Sequence, residues 1–109
     1  MKTINYFSGI VKIVKTPKQS FNKRQIAHVR LQAIVPHNRT NLLIHINIWG
    51  NLSYKVKNFY KKDDYVLVEG YISFRKEQKL NTTYRNFKRL YMTVLRIYPI
   101  LLNSNKNEF

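Results

Sequence analysis

Along much of the chain apolar residues recur at every second position, the period of a β-strand with two unlike faces. In residues 42–49, LLIHINIW, the residues Leu42, Ile44, Ile46 and Ile48 alternate with Leu43, His45, Asn47 and Trp49. The first set makes a core face. The second carries an imidazole, an amide and the chain's only tryptophan. Residues 4–14 read as a strand with Phe7, Gly9, Val11 and Ile13 on one side and Tyr6, Ser8, Ile10 and Lys12 on the other. Gly9 in mid-strand marks a bend or a close backbone approach. Residues 25–34 place Ala27, Val29, Leu31 and Ala33 inward and His28, Arg30 and Gln32 outward. Residues 63–76 put Val66, Val68, Gly70, Ile72 and Phe74 on one side. Residues 89–100 form a last strand with an ambiguous inward set: Leu90, Met92, Val94 and Arg96 share one parity, Tyr91, Thr93, Leu95 and Ile97 the other.

The period changes after Gly50. Leu52, Val56 and Phe59 fall at i, i+4 and i+7, the apolar stripe of one short helix, with Asn51 as its N-cap. Lys55, Lys57, Lys61 and Lys62 lie off that stripe and read as a solvated face. Residues 15–24 read as a polar loop containing Pro17, Lys15, Lys18, Lys23 and Arg24. Residues 36–41 read as a turn and residues 77–88 as a long hairpin loop. The resulting order, β-β-β-α-β-β within residues 1–100, predicts an all-β fold with one short helix. It is the order of the five-stranded OB-fold barrel, with the helix between strands 3 and 4. Residues 101–109 are left as a short polar tail. In such a barrel strands 2 and 3, with the loops between strands 1–2 and 4–5, form the oligonucleotide-binding face. Those loops are residues 15–24 and 77–88 here.

Charge sharpens this picture. Twenty Lys and Arg face five Asp and Glu, a net charge of +15, and the first acid is Asp63. A field of one sign repels itself in a compact chain unless an anionic partner relieves it. No basic amphipathic helix of membrane type is visible, which favours nucleic acid over a membrane surface. No apolar run approaches the ~20 residues needed to span a bilayer. The N-terminus lacks the apolar core of a secretion signal. With no cysteine, disulfides and thiolate metal sites are excluded. Asn, Lys, Ile, Tyr and Phe are abundant while Ala, Gly and Pro are scarce, which points to an A+T-biased genome such as an organelle's.

Single-stranded nucleic acid asks for cations along its phosphates and flat rings for its unstacked bases. The candidates are Trp49, His45, Asn47, Arg30 and His28 on the outward faces of strands 2 and 3, with Lys12, Lys23 and Arg24 near the first loop. Arg75, Lys76, Lys79, Arg85, Lys88 and Arg89 cluster on the second hairpin, with Tyr84 and Phe87 as further rings; Phe21 lies in the first loop. For Trp49 two readings stand open: a base-stacking ring, or a ring packed at a subunit contact. The histidines read equally as surface strand residues, and a three-histidine metal site using His37 lacks ligand spacing. The carboxylates form no convergent acid–base pair, and neither a Gly-rich phosphate loop nor a nucleophile motif is present, so no catalysis and no cofactor are expected.

Residues 46–76, INIWGNLSYKVKNFYKKDDYVLVEGYISFRK, resemble the signature of the bacterial single-stranded DNA-binding protein family. Trp49-Gly50, the helix after it, Val66, Val68, Glu69, Gly70, Arg75 and Lys76 match in order and spacing, and the likeness spans residues 4–100. The ending TVLRIYPI resembles a branch found in cyanobacteria and encoded in algal plastid genomes. The resemblance implies an OB-fold that oligomerises, as a homodimer or homotetramer, and coats single-stranded DNA in replication and repair, here in a plastid. It also implies that Trp49 takes the place of a base-stacking aromatic. Leu43 and Glu77 stand where members often carry further stacking tryptophans, and Asp63 stands where a turn glycine is usual. The family's acidic recruiting tip is missing from NKNEF, as in its tail-less primosomal relative. An RNA-binding module and a structural subunit of a primosomal or ribosomal assembly remain the alternatives.

Overall fold

The computed structural model describes residues 5–36, 42–77 and 87–103, with backbone alone for residues 76, 77, 87 and 88. The elements are β1 (Asn5–Ile13), β2 (Lys18–Phe21), β3 (Ala27–Val35), β4 (Leu42–Trp49), α1 (Asn51–Phe59), β5 (Tyr65–Glu77) and β6 (Phe87–Leu101). Sheet neighbours run β1-β5-β6-β4-β3-β2, and β1 also pairs with β3, so five strands close on themselves. The β4–β6 pairing is parallel and the others are antiparallel. A mostly-β chain with one helix and a closed five-strand sheet is OB-like.

The alternation explains the closure. Val11 and Ile13, Val29 and Ala33, Ile44, Ile46 and Ile48, Val66 and Val68, and Met92 and Val94 point inward from five strands and form one buried cluster. Burying each larger side chain of this set contributes about 1.5–3 kcal/mol.

Several elements differ from the sequence reading. The predicted loop 15–24 contains β2, paired to β3 from Lys18↔Arg30 to Phe21↔Ala27. The described residues therefore hold six strands. The helix follows the fourth of them, and lies between strands 3 and 4 only when the closed five are counted. Polar KQSF has no core face to betray it, since it is an edge strand held by backbone pairing. Gly50, at φ 71°, is the N-cap in place of Asn51. That left-handed conformation favours glycine and turns the chain from β4 into α1. The buried helix stripe is Ser53 and Val56 continued by Tyr60, while Phe59 is 48% exposed. Tyr60 leaves the helix in extended conformation, which swings its ring inward in place of its neighbour's.

The ambiguous parity of the last strand has a cause. Between Glu69↔Arg96 and Gly70↔Val94 the register shifts, and Leu95 is left without a partner. Such a bulge reverses which parity faces the core. Leu90, Met92 and Val94 are inward before it. Ile97 packs on the core after it, and Arg96 turns out to meet Glu69 at 3.5 Å. Gly70 sits at this bulge because a Cβ there would collide with the carbonyl oxygen of Thr93. At Gly9 the close neighbour is instead the ring of Phe7.

The turn into β5 is a junction. Asp63 has φ 74°, so this aspartate takes the left-handed position at which a glycine is usual by resemblance. Asp64 is fully buried. Its carboxylate accepts from Lys61 N at 2.8 Å and Asn103 N at 2.6 Å, joining the helix exit to the residues after β6. Its own carbonyl accepts from Ile13 N at 2.9 Å. Burial, and then the charge of Asp64, raises the pKa of the neighbouring Tyr60 hydroxyl above its ordinary 10.0. Asp64→Ala would strand two backbone N–H groups, so a loss of about 2–5 kcal/mol is expected. Urea unfolding would read this as a lower midpoint at unchanged slope, with Asp64→Asn falling between the two.

Candidate nucleic-acid interface

With the isoleucines of β4 inside, His45, Asn47 and Trp49 must point out. The register sets them in rows across the barrel wall. Ser20, His28 and Trp49 form one row; Lys18, Arg30, Asn47, Thr93 and Tyr71 a second; Gln32, His45, Tyr91 and Ser73 a third. Neighbouring rows on one face lie two residues, or about 7 Å, apart along a strand.

Trp49 is 45% exposed, so the indole lies outside the hydrophobic interior. One side of it rests on the His28 imidazole, with centroids 3.8 Å apart and planes within 9°. His28 is therefore covered, at 6% exposure, and braces the tryptophan from behind the surface on which the sequence reading had set it. Its Nε2 lies 3.0 Å from Asn47 Oδ1. An amide oxygen only accepts, so Nε2 donates there. The histidine is thus held from two sides.

Beyond this row lies an open groove of about 760 Å³. Lys15, Lys18, Arg30, Arg75 and Arg89 line it, with His45, Asn47 and Tyr91 among its other walls. No carboxylate is among the described residues that line it. Tyr91 stacks with His45 at 5.2 Å, and the Arg75 guanidinium lies 4.4 Å from the Tyr91 ring centre. A smaller hollow of about 480 Å³, lined by Leu42, Leu43, Phe74 and Arg89, adjoins the groove at the barrel rim.

The structure brings together Arg30, His45, Asn47 and Arg75 in the groove, with Trp49 and His28 on the same face. Lys23 and Arg24 sit at the tip of the β2–β3 hairpin, just past the Trp49 row. Asn22 Oδ1 shapes that tip by accepting from Arg24 N at 2.8 Å and Ile26 N at 2.9 Å. Lys12 is not part of this site: it lies beside β5, 3.8 Å from Asp63 and near the Tyr65 ring. Phe21 is 53% exposed but pairs with Ala27, which sets it on the face opposite Trp49. Lys79, Tyr84, Arg85 and His37 lie outside the described residues. Lys76, Phe87 and Lys88 are described by backbone alone, at the hairpin ends of β5 and β6. Sequence reasoning missed Tyr91, Lys15 and Lys18 as lining residues. The parity of Tyr91 before the bulge was the available signal. Among the described residues no cluster of three His, Cys, Asp or Glu could hold a metal ion.

The fold and this face define an OB-like barrel carrying one exposed indole beside a cation-lined groove. No protein-family model matches the chain. It is 36% identical over 107 residues to the Trieres chinensis protein named "Putative single-stranded DNA-binding protein ycf41", covering 93% of each. At that identity and coverage the chain belongs to the single-stranded DNA-binding protein family, in its ycf41 branch. Solved structures agree on the fold. The SSB domain of a Synechococcus sp. protein superposes with TM-score 0.69 at 15% identity, covering 90% of this chain and 98% of that one. The small single-stranded DNA-binding protein of Streptomyces coelicolor gives 0.77 at 12% identity, covering 92% and 97%.

Asn47→Ala leaves the buried Nε2 of His28 without its acceptor, and a stability loss of about 1–3 kcal/mol is expected by urea titration. His28→Ala should also lower the steady-state fluorescence anisotropy of Trp49, because the ring loses the plane that holds it.

Proposed function

We propose that this protein binds single-stranded DNA with little sequence preference and without catalysing a reaction. One observation carries the reading: an exposed indole, braced by a buried histidine, stands beside a groove lined by cations. Bases stack on Trp49, at about 1–3 kcal/mol per base, and phosphates are neutralised along the groove. Arg30, Arg75 and the hairpin-tip cations Lys23 and Arg24 supply contacts. His45 and Asn47 line the same path. By residue type alone, Lys76, Lys79, Tyr84, Arg85, Phe87 and Lys88 are further proposed contacts. Family membership supports the same ligand, since both the named relative and the Streptomyces structure carry single-stranded DNA binding in their names.

In this reading the protein serves DNA replication and repair as a homodimer or homotetramer in a plastid. The A+T-biased composition and the algal relative favour that compartment. The sheet face beyond the groove, with Tyr6, Ile10, Tyr71 and Tyr98 exposed, suits a contact between copies. Stacking alone does not separate DNA from RNA, because a 2′-OH changes little for a ring platform.

The test is a titration with oligo-dT, oligo-U and duplex DNA at two salt concentrations, following Trp49 emission. Strong quenching by oligo-dT, with far weaker binding of duplex, is the expected result. Absence of quenching, or duplex binding as tight as single-strand binding, overturns the reading; oligo-U binding tighter than oligo-dT reassigns the ligand to RNA. Trp49→Ala, followed by the anisotropy of a labelled oligo-dT, should cost about 1–3 kcal/mol of affinity.

A further inference from the structure

The outer face carries two aromatic stacks, and they differ in what they leave open. Trp49 has His28 on one side, and no second ring contact covers it among the described residues. Tyr91 is different. Its strand, β6, lies between β4 and β5 in the sheet. His45 therefore reaches the ring from the β4 side, as its direct cross-strand neighbour. Arg75 reaches it from the β5 side, where it pairs with Arg89, two residues before Tyr91. The ring thus has a neighbour from each adjoining strand, and a nucleobase stacking on it would compete with the guanidinium or the imidazole.

A guanidinium lying on a ring keeps its edge free for hydrogen bonds, and the ring restricts its rotamers. Arg75 is exposed and lines the groove, where Lys15, Lys18 and Arg30 stand on the other side. Trp49 is not among the groove's lining residues. The rows of Trp49 and Tyr91 are four residues apart along β4, about 13 Å.

We infer that the groove over Tyr91 is a backbone channel separate from the base platform at Trp49, and that Tyr91 is a positioning residue that holds Arg75 against a phosphate. This deepens the single-strand reading and rests on it. The two rings on one face then have different work. Trp49 meets a base, while Tyr91 meets none and acts through the arginine.

The salt dependence of oligo-dT binding separates these roles, because a lost phosphate contact lowers the log–log slope and a lost base stack does not. Arg75→Ala should reduce the slope by about 0.7. Tyr91→Leu should weaken binding and shift the slope in the same direction. Tyr91→Phe, which keeps the ring, should retain the parent's slope. The double variant Arg75→Ala with Tyr91→Leu should bind no more weakly than Arg75→Ala alone. Arg75→Lys guards against a Tyr91→Leu chain that folds poorly. It keeps the charge but not the planar guanidinium, so its affinity should fall while Trp49 quenching at saturation persists. Additive losses, with a Tyr91→Leu slope equal to the parent's, would make Tyr91 a base platform and overturn the inference, as would an Arg75→Ala slope equal to the parent's. Failure of the single-strand reading looks different: the parent protein itself would show no Trp49 quenching by oligo-dT.

Discussion

Everything on the outer face depends on one constraint in β4. Its alternation is strict, and the isoleucines at 44, 46 and 48 are almost wholly buried. A slip of one residue would drive His45, Asn47 and Trp49 into the barrel and expose three isoleucines. That exchange would cost apolar burial and also bury groups in need of partners. The core thus decides where the indole goes. The pairing of β4 with β3 on one side and β6 on the other then decides what stands beside it.

Beside Trp49 the barrel supplies a buried histidine, and beside Tyr91 an exposed arginine. The two arrangements use the same geometry, one side chain against another across neighbouring strands, with different results. An imidazole sealed behind the indole and bonded to Asn47 gives a rigid surface. A guanidinium on the phenol gives an oriented charge. Among the described residues, cations and no carboxylate line the groove between β2 and β5, and the described acids lie elsewhere. Asp63 pairs with Lys12, Asp64 is consumed by the turn, and Glu69 meets Arg96. For these three acids the separation of charge along the chain becomes a separation in space.

Much of the fold was legible because period-two patterns are local. The inward sets of β1, β3, β4 and β5 follow from parity, and so does the outward direction of Trp49. Three features were not legible, because side-chain periodicity alone does not carry them. The strand KQSF is stabilised by backbone pairing to β3 rather than by its own side chains. The parity reversal at Leu95 needs the opposite strand, whose Gly70 lets the backbones approach. The helix stripe passes through Tyr60 because the chain leaves the helix there. The first two depend on a partner strand, and the third on a change of backbone conformation that the helical period does not carry.

The site divides in the same way. Alternation, the charge balance and the Trp49-Gly50 to Val68-Glu69-Gly70 spacing by themselves determined a β-barrel with a cationic, ring-bearing outer face. A strand's side-chain direction is set by its own pleat. Only the tertiary structure decided that His28 lies covered under Trp49, that Lys12 and Phe21 face elsewhere, and that Arg75 and His45 close over Tyr91. Those contacts join residues on different strands, and strand order and register, which no local pattern encodes, bring them together.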